Sequence, residues 1–136
     1  MIKTIVVGGE PTKFEATTGT GELYQMFTGR NIYADLQEVS KAFVGINMED
    51  TSKLPMDGVN KILKMVQQMG FVMYIQANTR GDTPLDRIRN IKSRINDDEY
   101  LAWILEIEQD EFNNTLFLEF IDLMNLNSKS SSESKN

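Results

Sequence analysis

The sequence contains no cysteine and no histidine. Without cysteine, the chain has no disulfide, no thiolate metal ligand and no cysteine nucleophile. Without histidine, it lacks the commonest metal ligand and the usual general base at neutral pH. We therefore expect neither an enzyme nor a metal site, and we predict no catalytic, cofactor-binding or metal-binding residue.

Long apolar runs are also missing. No stretch approaches the ~20 apolar residues that span a bilayer. The apolar run at residues 2–7 is too short for the hydrophobic region of a signal peptide, and it leads directly into two glycines. We therefore expect no membrane partner and a protein that stays in the cytoplasm where it is made.

Basic residues are absent from one long segment. Residues 96–128 contain nine acidic side chains and no lysine or arginine, and the net charge of −6 arises entirely within residues 81–136. A nucleic-acid partner is not expected, because a phosphate backbone requires a basic surface. The acidic segment indicates a solvated face, and the alternative is contact with a basic partner.

The pattern of apolar residues predicts the fold class. The chain has 136 residues, of which 40% are apolar and 25% charged, which is typical of one globular domain. Two short β-type segments around a Gly-Gly-Glu-Pro turn predict a hairpin over residues 2–17. Helical periodicity then runs over residues 20–125. We predict an α+β, predominantly α-helical fold with an N-terminal β-hairpin and five to six helices, in one domain over residues 1–126 with a disordered polar tail at 127–136.

Start and stop signals place several of these helices. A threonine is predicted to cap the first helix and Gly29 to end it, and Asn31 is predicted to cap the second. The order Thr83-Pro84 opens a basic helix over residues 84–95. Residues 56–77 form the longest periodic run, which predicts a central and mostly buried helix in which Gly70 permits a close crossing or a bend.

Other motifs are weak. The glycines at 8–9 and 19–21 do not complete a phosphate loop or a dinucleotide fingerprint, so a turn and a helix start explain them better. Paired carboxylates at 97–99 and 106–111 are typical of helix caps and solvent faces rather than of a catalytic pair.

These motifs do not indicate a function, whereas a resemblance to a known family does. The segments Phe-Glu-Ala-Thr-Thr-Gly-Thr at 14–20, Tyr-Gln-Met-Phe-Thr-Gly-Arg-Asn-Ile at 24–32 and Asp-Leu-Gln at 35–37 occur in that order. An apolar helix at 71–77, an acidic stretch with a tryptophan at 99–111 and an apolar helix at 117–126 follow. The whole chain resembles the tail assembly chaperones of long-tailed bacteriophages and prophages of Gram-positive bacteria (siphophages). It departs from them at Thr28, at Asn31 and in helix 84–95, which looks like an insertion.

The resemblance implies a non-enzymatic function in virion morphogenesis. Such proteins bind the tape measure protein, keep it soluble in the host bacterial cytoplasm until tube subunits polymerise around it, and are absent from the mature virion. Many have a longer form, made by a programmed ribosomal frameshift, that recruits the tail tube protein. The alternative function is that of a structural virion component, such as a tail-tube or head–tail connector subunit.

Three groups of residues are candidates for contact with this client. Methionine suits adaptable binding grooves, and aromatic side chains are also candidates, although core packing is the alternative for both. The acidic group would give a salt-sensitive contact. The free edge of the hairpin further predicts self-association. The candidate client-binding residues are Tyr24 and Phe27, then Met65, Met69 and Met73 on the exposed parts of the middle helix, and Glu106, Glu108 and Asp110.

Overall fold

The structure is a computed structural model that describes residues 1–7, 10–44, 56–108, 119–120 and 122–123, without the side chains of residues 42–44, 56–60 and 108. Within this part of the chain, an antiparallel hairpin precedes five helices. The predicted α+β, predominantly helical class is confirmed. The elements are β1 (Ile2–Val7), β2 (Glu10–Glu15), α1 (Thr20–Thr28), α2 (Ile32–Val44), α3 (Met56–Ala77), α4 (Pro84–Arg94) and α5 (Asp97–Glu108).

The hairpin presents one face to the core. Its register places Lys3 opposite Phe14 and Ile5 opposite Thr12, and Ile5 and Phe14 are buried. The alternation of side chains along a strand therefore directs one row of residues inward and the other toward solvent. β2 packs against α3, which places the hairpin on the central helix.

The end of α1 and the start of α2 follow their sequence signals. Gly29 adopts a left-handed conformation with φ of 76° and ends α1. The side chain of Asn31 accepts hydrogen bonds from the backbone amides of Tyr33 and Ala34 at the start of α2. The predicted threonine cap of α1 is wrong, because Gly19 occupies that position without a side-chain bond. Thr20 is instead the first helical residue, and its buried hydroxyl donates to Gln76 Oε1 at 2.8 Å.

Helix α3 is the centre of the fold, as its length and apolar content predict. It contacts β2, α1, α2, α4 and α5. Its second half is apolar on nearly every side, and Phe71, Val72 and Met73 are fully buried. Gly70 lies directly against the ring of Phe120, which confirms the predicted close crossing at this glycine.

Helices α4 and α5 both pack against α3. Asn96 accepts from the Glu99 amide at the start of α5, and Trp103 and Ile107 on that helix are buried. The Thr83 side chain accepts from the Asp86 amide at the start of α4, as predicted. Leu85, Ile88 and Ile91 form a narrow apolar stripe on α4. Ile91 is buried, whereas Leu85 and Ile88 are exposed to solvent.

The predicted last helix lies mostly beyond the part of the chain that the structure describes. Residues 119–120 and 122–123 are helical, and Phe120 and Leu123 are buried in the core. The other residues of that predicted helix and the predicted tail at 127–136 are outside the described residues.

Candidate functional site

The three candidate methionines of α3 lie in the core. Met65, Met69 and Met73 are 3%, 1% and 0% exposed. Their spacing of four residues places them on one face of the helix, and that face packs inside the protein. The prediction that they are exposed is wrong, and their side chains are core residues that a client cannot contact on the folded surface.

Tyr24 is also buried, and it belongs to a polar network between α1, α2 and α3. Its hydroxyl donates to Asp35 Oδ2 at 2.5 Å, and Arg30 Nε donates to the same oxygen at 2.9 Å. Arg30 Nη2 donates to Tyr24 Oη and to Gln68 Oε1. The buried carboxylate is thereby paired with a cation and with a phenol, so the network holds α2 against α1 and α3.

This burial changes the protonation behaviour of the network. Burial and the hydrogen bond to Asp35 raise the pKa of Tyr24 well above its usual value. Partial burial lowers the pKa of Arg30, but its bonds to Asp35 and Tyr24 outweigh that effect and raise the pKa. Tyr24 therefore stays a neutral donor, and its place in the network is a structural one.

Phe27 is half-buried in a cluster of aromatic rings. Its ring centroid lies 5.5 Å from those of both Phe71 and Tyr100. Such tilted and edge-on contacts stabilise a core beyond the area they bury. Phe27 therefore joins α1 to α3 and α5.

Glu106 is the acidic candidate whose side chain the structure describes. Glu106 is exposed and borders a small recess of about 190 Å³ together with Pro11, Trp103 and Ile107. The side chain of Glu108 and all of Asp110 are outside the described residues. The structure therefore does not bring the aromatic, methionine and acidic candidates onto one surface.

A larger cleft lies between α1 and α4. Its volume is about 370 Å³, and its apolar walls come from Leu23 and Met26 on α1 and from Ile88 and Ile91 on α4. Met26 is 57% exposed and Ile88 41% exposed. Leu85 lies one turn before Ile88 and is also exposed. An apolar wall that remains open to solvent is a typical feature of binding clefts.

The base of the cleft is a network of paired polar groups. Gln76 Nε2 donates to Thr17 Oγ1 at 2.7 Å, and Gln76 Oε1 accepts from Thr20. Glu15 forms an ion pair with Arg87 at 3.0 Å. Because these groups already bond to one another, the cleft offers a ligand mainly its apolar walls.

The α4 wall is held by arginines that bind backbone carbonyls. Arg87 donates to the carbonyl oxygens of Gln76 and Thr79 at 2.8 and 3.2 Å. Arg94 donates to the carbonyl oxygen of Asn78 and to Thr79 Oγ1. A Cβ at Gly81 would overlap the backbone of Arg87, so this glycine lets the preceding loop pack closely on α4. Helix α4 therefore supplies a firmly held wall of the cleft.

The rim of the cleft carries both signs of charge. Glu22 lies on the α1 side and Lys92 on the α4 side, and both side chains are exposed. Charges of both signs at exposed positions give weak and screened contacts. Binding at this cleft would depend on apolar contact more than on charge.

Sequence reasoning did not single out Met26 or Ile88 as surface residues. On a helical projection, Met26 lies at the margin of the apolar arc of α1, about 60° from Leu23, with Phe27 on the other side. Ile88 belongs to the narrow apolar stripe of α4, and helical spacing of this kind is typical of a face that packs on the core. Two features of the sequence could have indicated that these residues are exposed: the marginal position of Met26 and the narrowness of the α4 stripe.

Among the described residues, no group of three or more acidic side chains could hold a metal ion. No described helix combines the length and the apolar character required to cross a membrane.

These features define a small α+β domain in which a central helix is surrounded by a hairpin and shorter helices, with an open apolar cleft. No protein-family model, no curated protein and no solved structure matches the chain. The resemblance to tail assembly chaperones therefore stays a prediction, and the cleft is the feature on which a function can be argued.

Proposed function

We propose that this protein is a phage tail assembly chaperone whose α1–α4 cleft binds an apolar stripe of the tape measure protein. The observation that supports the proposal is the open apolar wall of Met26 and Ile88, which Leu85 extends along α4. This cleft replaces the α3 methionines as the candidate client-binding surface.

The shape and chemistry of the cleft suit a helical client. An amphipathic helix binds a groove by inserting apolar side chains from one face. Met26 is flexible and can adapt to different side chains at successive positions of a long client. Many weakly bound copies along one client would then keep it soluble through avidity.

The proposal includes the rest of the predicted biology. The protein acts without catalysis in the host bacterial cytoplasm, leaves before the virion is mature, and recruits the tail tube protein through a longer, frameshifted form. The alternative, a structural virion component such as a tail-tube or head–tail connector subunit, differs in one observable respect. A structural component is retained in purified virions, whereas a chaperone is lost.

The test is co-expression of the tagged chain with its tape measure protein. The cleft variant replaces Met26 and Ile88 with serine. The matched control replaces Leu101 and Leu105, which are 57% and 60% exposed on α5, with serine. Both variants remove two exposed apolar side chains, so their effects on folding and solubility should be similar.

We expect the unmodified chain and the α5 variant to co-purify with a soluble client. The cleft variant should retain its circular dichroism spectrum and recover at least tenfold less client. Equal loss with both variants would argue against the cleft as the binding surface. A client that is soluble alone and never co-purifies would contradict the chaperone function itself.

A further inference from the structure

The pairing of the hairpin determines which way the backbone groups of β1 point. Met1 and Ala16 exchange two hydrogen bonds at 2.9 Å, so they form a hydrogen-bonded pair of the antiparallel ladder. Such pairs alternate with pairs whose amide and carbonyl groups point away from the partner strand. With the observed register, Ile2, Thr4 and Val6 are therefore the residues of β1 that point off the free edge.

This edge is open among the residues that the structure describes. β1 pairs there with β2 alone, and Ile2 and Val6 are 60% and 68% exposed. The opposite edge differs, because Pro11 has no amide to offer and the Lys13 carbonyl accepts from the Asn78 side chain at 3.0 Å. Proline and covering side chains are common protections of a sheet edge. β1 has neither.

The edge of β1 is complementary to itself. We propose that β1 pairs antiparallel with β1 of a second copy, around a twofold axis at Thr4. In this register Ile2 lies opposite Val6 of the second copy, and Thr4 lies opposite its own counterpart. Each of these pairs is of the hydrogen-bonded type, so every outward amide and carbonyl of the three residues finds a partner.

The side chains of β1 favour pairing with β1 of a second copy in this register. Ile2 and Val6 are exposed on one face of the hairpin, so the twofold pairing joins two apolar side chains at each end. Lys3, on the other face, lies opposite Ile5 of the second copy rather than opposite another lysine. β1 contains no acidic residue although the chain has a net charge of −6. Pairing between two β1 edges therefore avoids repulsion between acidic side chains.

This inference goes beyond the proposed function, because it does not depend on the client. Two two-stranded hairpins would become one four-stranded sheet that runs across two copies. A hairpin of two strands is marginal alone, and additional strands stabilise it. The pairing would also give each client-binding unit two clefts.

Engineered cysteines test the register directly, because the natural chain contains no cysteine. Thr4→Cys in the full chain should give a disulfide-linked dimer under mild oxidation. Residues in a hydrogen-bonded pair have Cα atoms about 5.5 Å apart, within the range of a disulfide. Lys13→Cys is the matched control, since it lies on the same exposed face on β2, and it should stay monomeric on a non-reducing gel.

A mixing experiment distinguishes this register from its neighbours. Ile2→Cys mixed with Val6→Cys should give a mixed dimer, and neither variant alone should cross-link. Two copies of residue 2 would be separated by about 13 Å along the strands, too far for a disulfide. Cross-linking of Ile2→Cys with itself would overturn the proposed register.

A third variant removes two bonds from the twofold interface, one from each copy, and none from the hairpin. Thr4→Pro deletes an outward amide, so the bonds from β1 to β2 remain. Light scattering should show a dimer for the natural chain and at least a tenfold weaker one for the variant. The proposal would be overturned if the natural chain stays monomeric at millimolar concentration and Thr4→Cys forms no disulfide-linked dimer. If Thr4→Pro does not fold, the cysteine variants still decide.

Discussion

The ring of Phe120 occupies the space that a side chain at Gly70 would need. A Cβ built on Gly70 would lie within 3.0 Å of three carbons of that ring. Glycine in the middle of a helix costs roughly 1 kcal/mol relative to alanine, so α3 forgoes helix stability at this position. In return, residue Phe120 packs directly on the backbone of the central helix.

Gly70→Ala should therefore destabilise the protein although alanine is the better helix former. Overpacking of a core costs about 1–3 kcal/mol, which exceeds the gain of roughly 1 kcal/mol in helix propensity. We expect a lower free energy of unfolding in urea. In the double variant with Phe120→Leu, the cost of Gly70→Ala should shrink. Simple additivity of the two changes would show that the ring and position 70 do not interact.

Tyr24→Phe should change how stability depends on alkaline pH. The unfolded chain releases the Tyr24 proton near pH 10, whereas the folded state retains it because its pKa is raised. Above that pH the unfolded state binds fewer protons, so the free energy of unfolding falls as the pH rises. Tyr24→Phe should make this fall less steep. It should also destabilise the protein at pH 7 by about 1–2 kcal/mol, because a buried hydrogen bond to Asp35 is lost.

Urea denaturation at a series of pH values from 7 to 11 measures both effects. Tyr33→Phe is the matched control, since Tyr33 is 46% exposed on α2. An identical alkaline slope for Tyr24→Phe and the natural chain would refute the assignment of that slope to Tyr24.

Arg87→Met should loosen α4, whereas Arg89→Met should not. Arg87 binds Glu15 and two backbone carbonyls, and their loss leaves polar groups without partners at about 1–3 kcal/mol. Arg89 is exposed on the same helix, so the same change of charge there should alter stability by no more than about 0.5 kcal/mol. Hydrogen exchange should show faster exchange of α4 amides in Arg87→Met alone. Equal protection in both variants would indicate that the arginine bonds do not hold the helix.

Met69→Ala and Met26→Ala should separate core from surface. Met69 is 1% exposed, and truncation of a buried methionine costs about 2–5 kcal/mol. Met26 is 57% exposed, so its truncation should change the free energy of unfolding by no more than about 0.5 kcal/mol. The midpoint temperature of thermal unfolding, measured for both variants, tests this difference. A comparable loss in both would mean that Met26 is buried in solution.

The fold was predictable where local signals are strong. The Gly29 and Asn31 signals place the junction of α1 and α2, and Thr83-Pro84 places the start of α4, because caps depend on neighbouring residues. The length and apolar content of α3 predict its central position. Thr20 was not predictable in the same way, since its hydroxyl bonds to Gln76, which is 56 residues away.

The candidate site was predictable only in part, because exposure depends on packing between elements. The second half of α3 is apolar on nearly all sides, so periodicity cannot tell which of its methionines face inward. The α4 stripe has the spacing of a buried face, and yet only its C-terminal part meets the core at Ile91. No local sequence pattern distinguishes an apolar stripe that packs in the core from one that is exposed and could bind a partner.

The residues that hold α4 in place are different from the residues that it exposes to solvent. Arg87 and Arg94 bind carbonyl oxygens, which every residue type provides, and Ile91 alone of its side chains is buried in the described core. The outward positions, such as Leu85 and Ile88, are free to change without disturbing the interior. Related chains should therefore retain the three anchors while these positions diverge, so that evolution can retune the recognition of new partners on an unchanged scaffold.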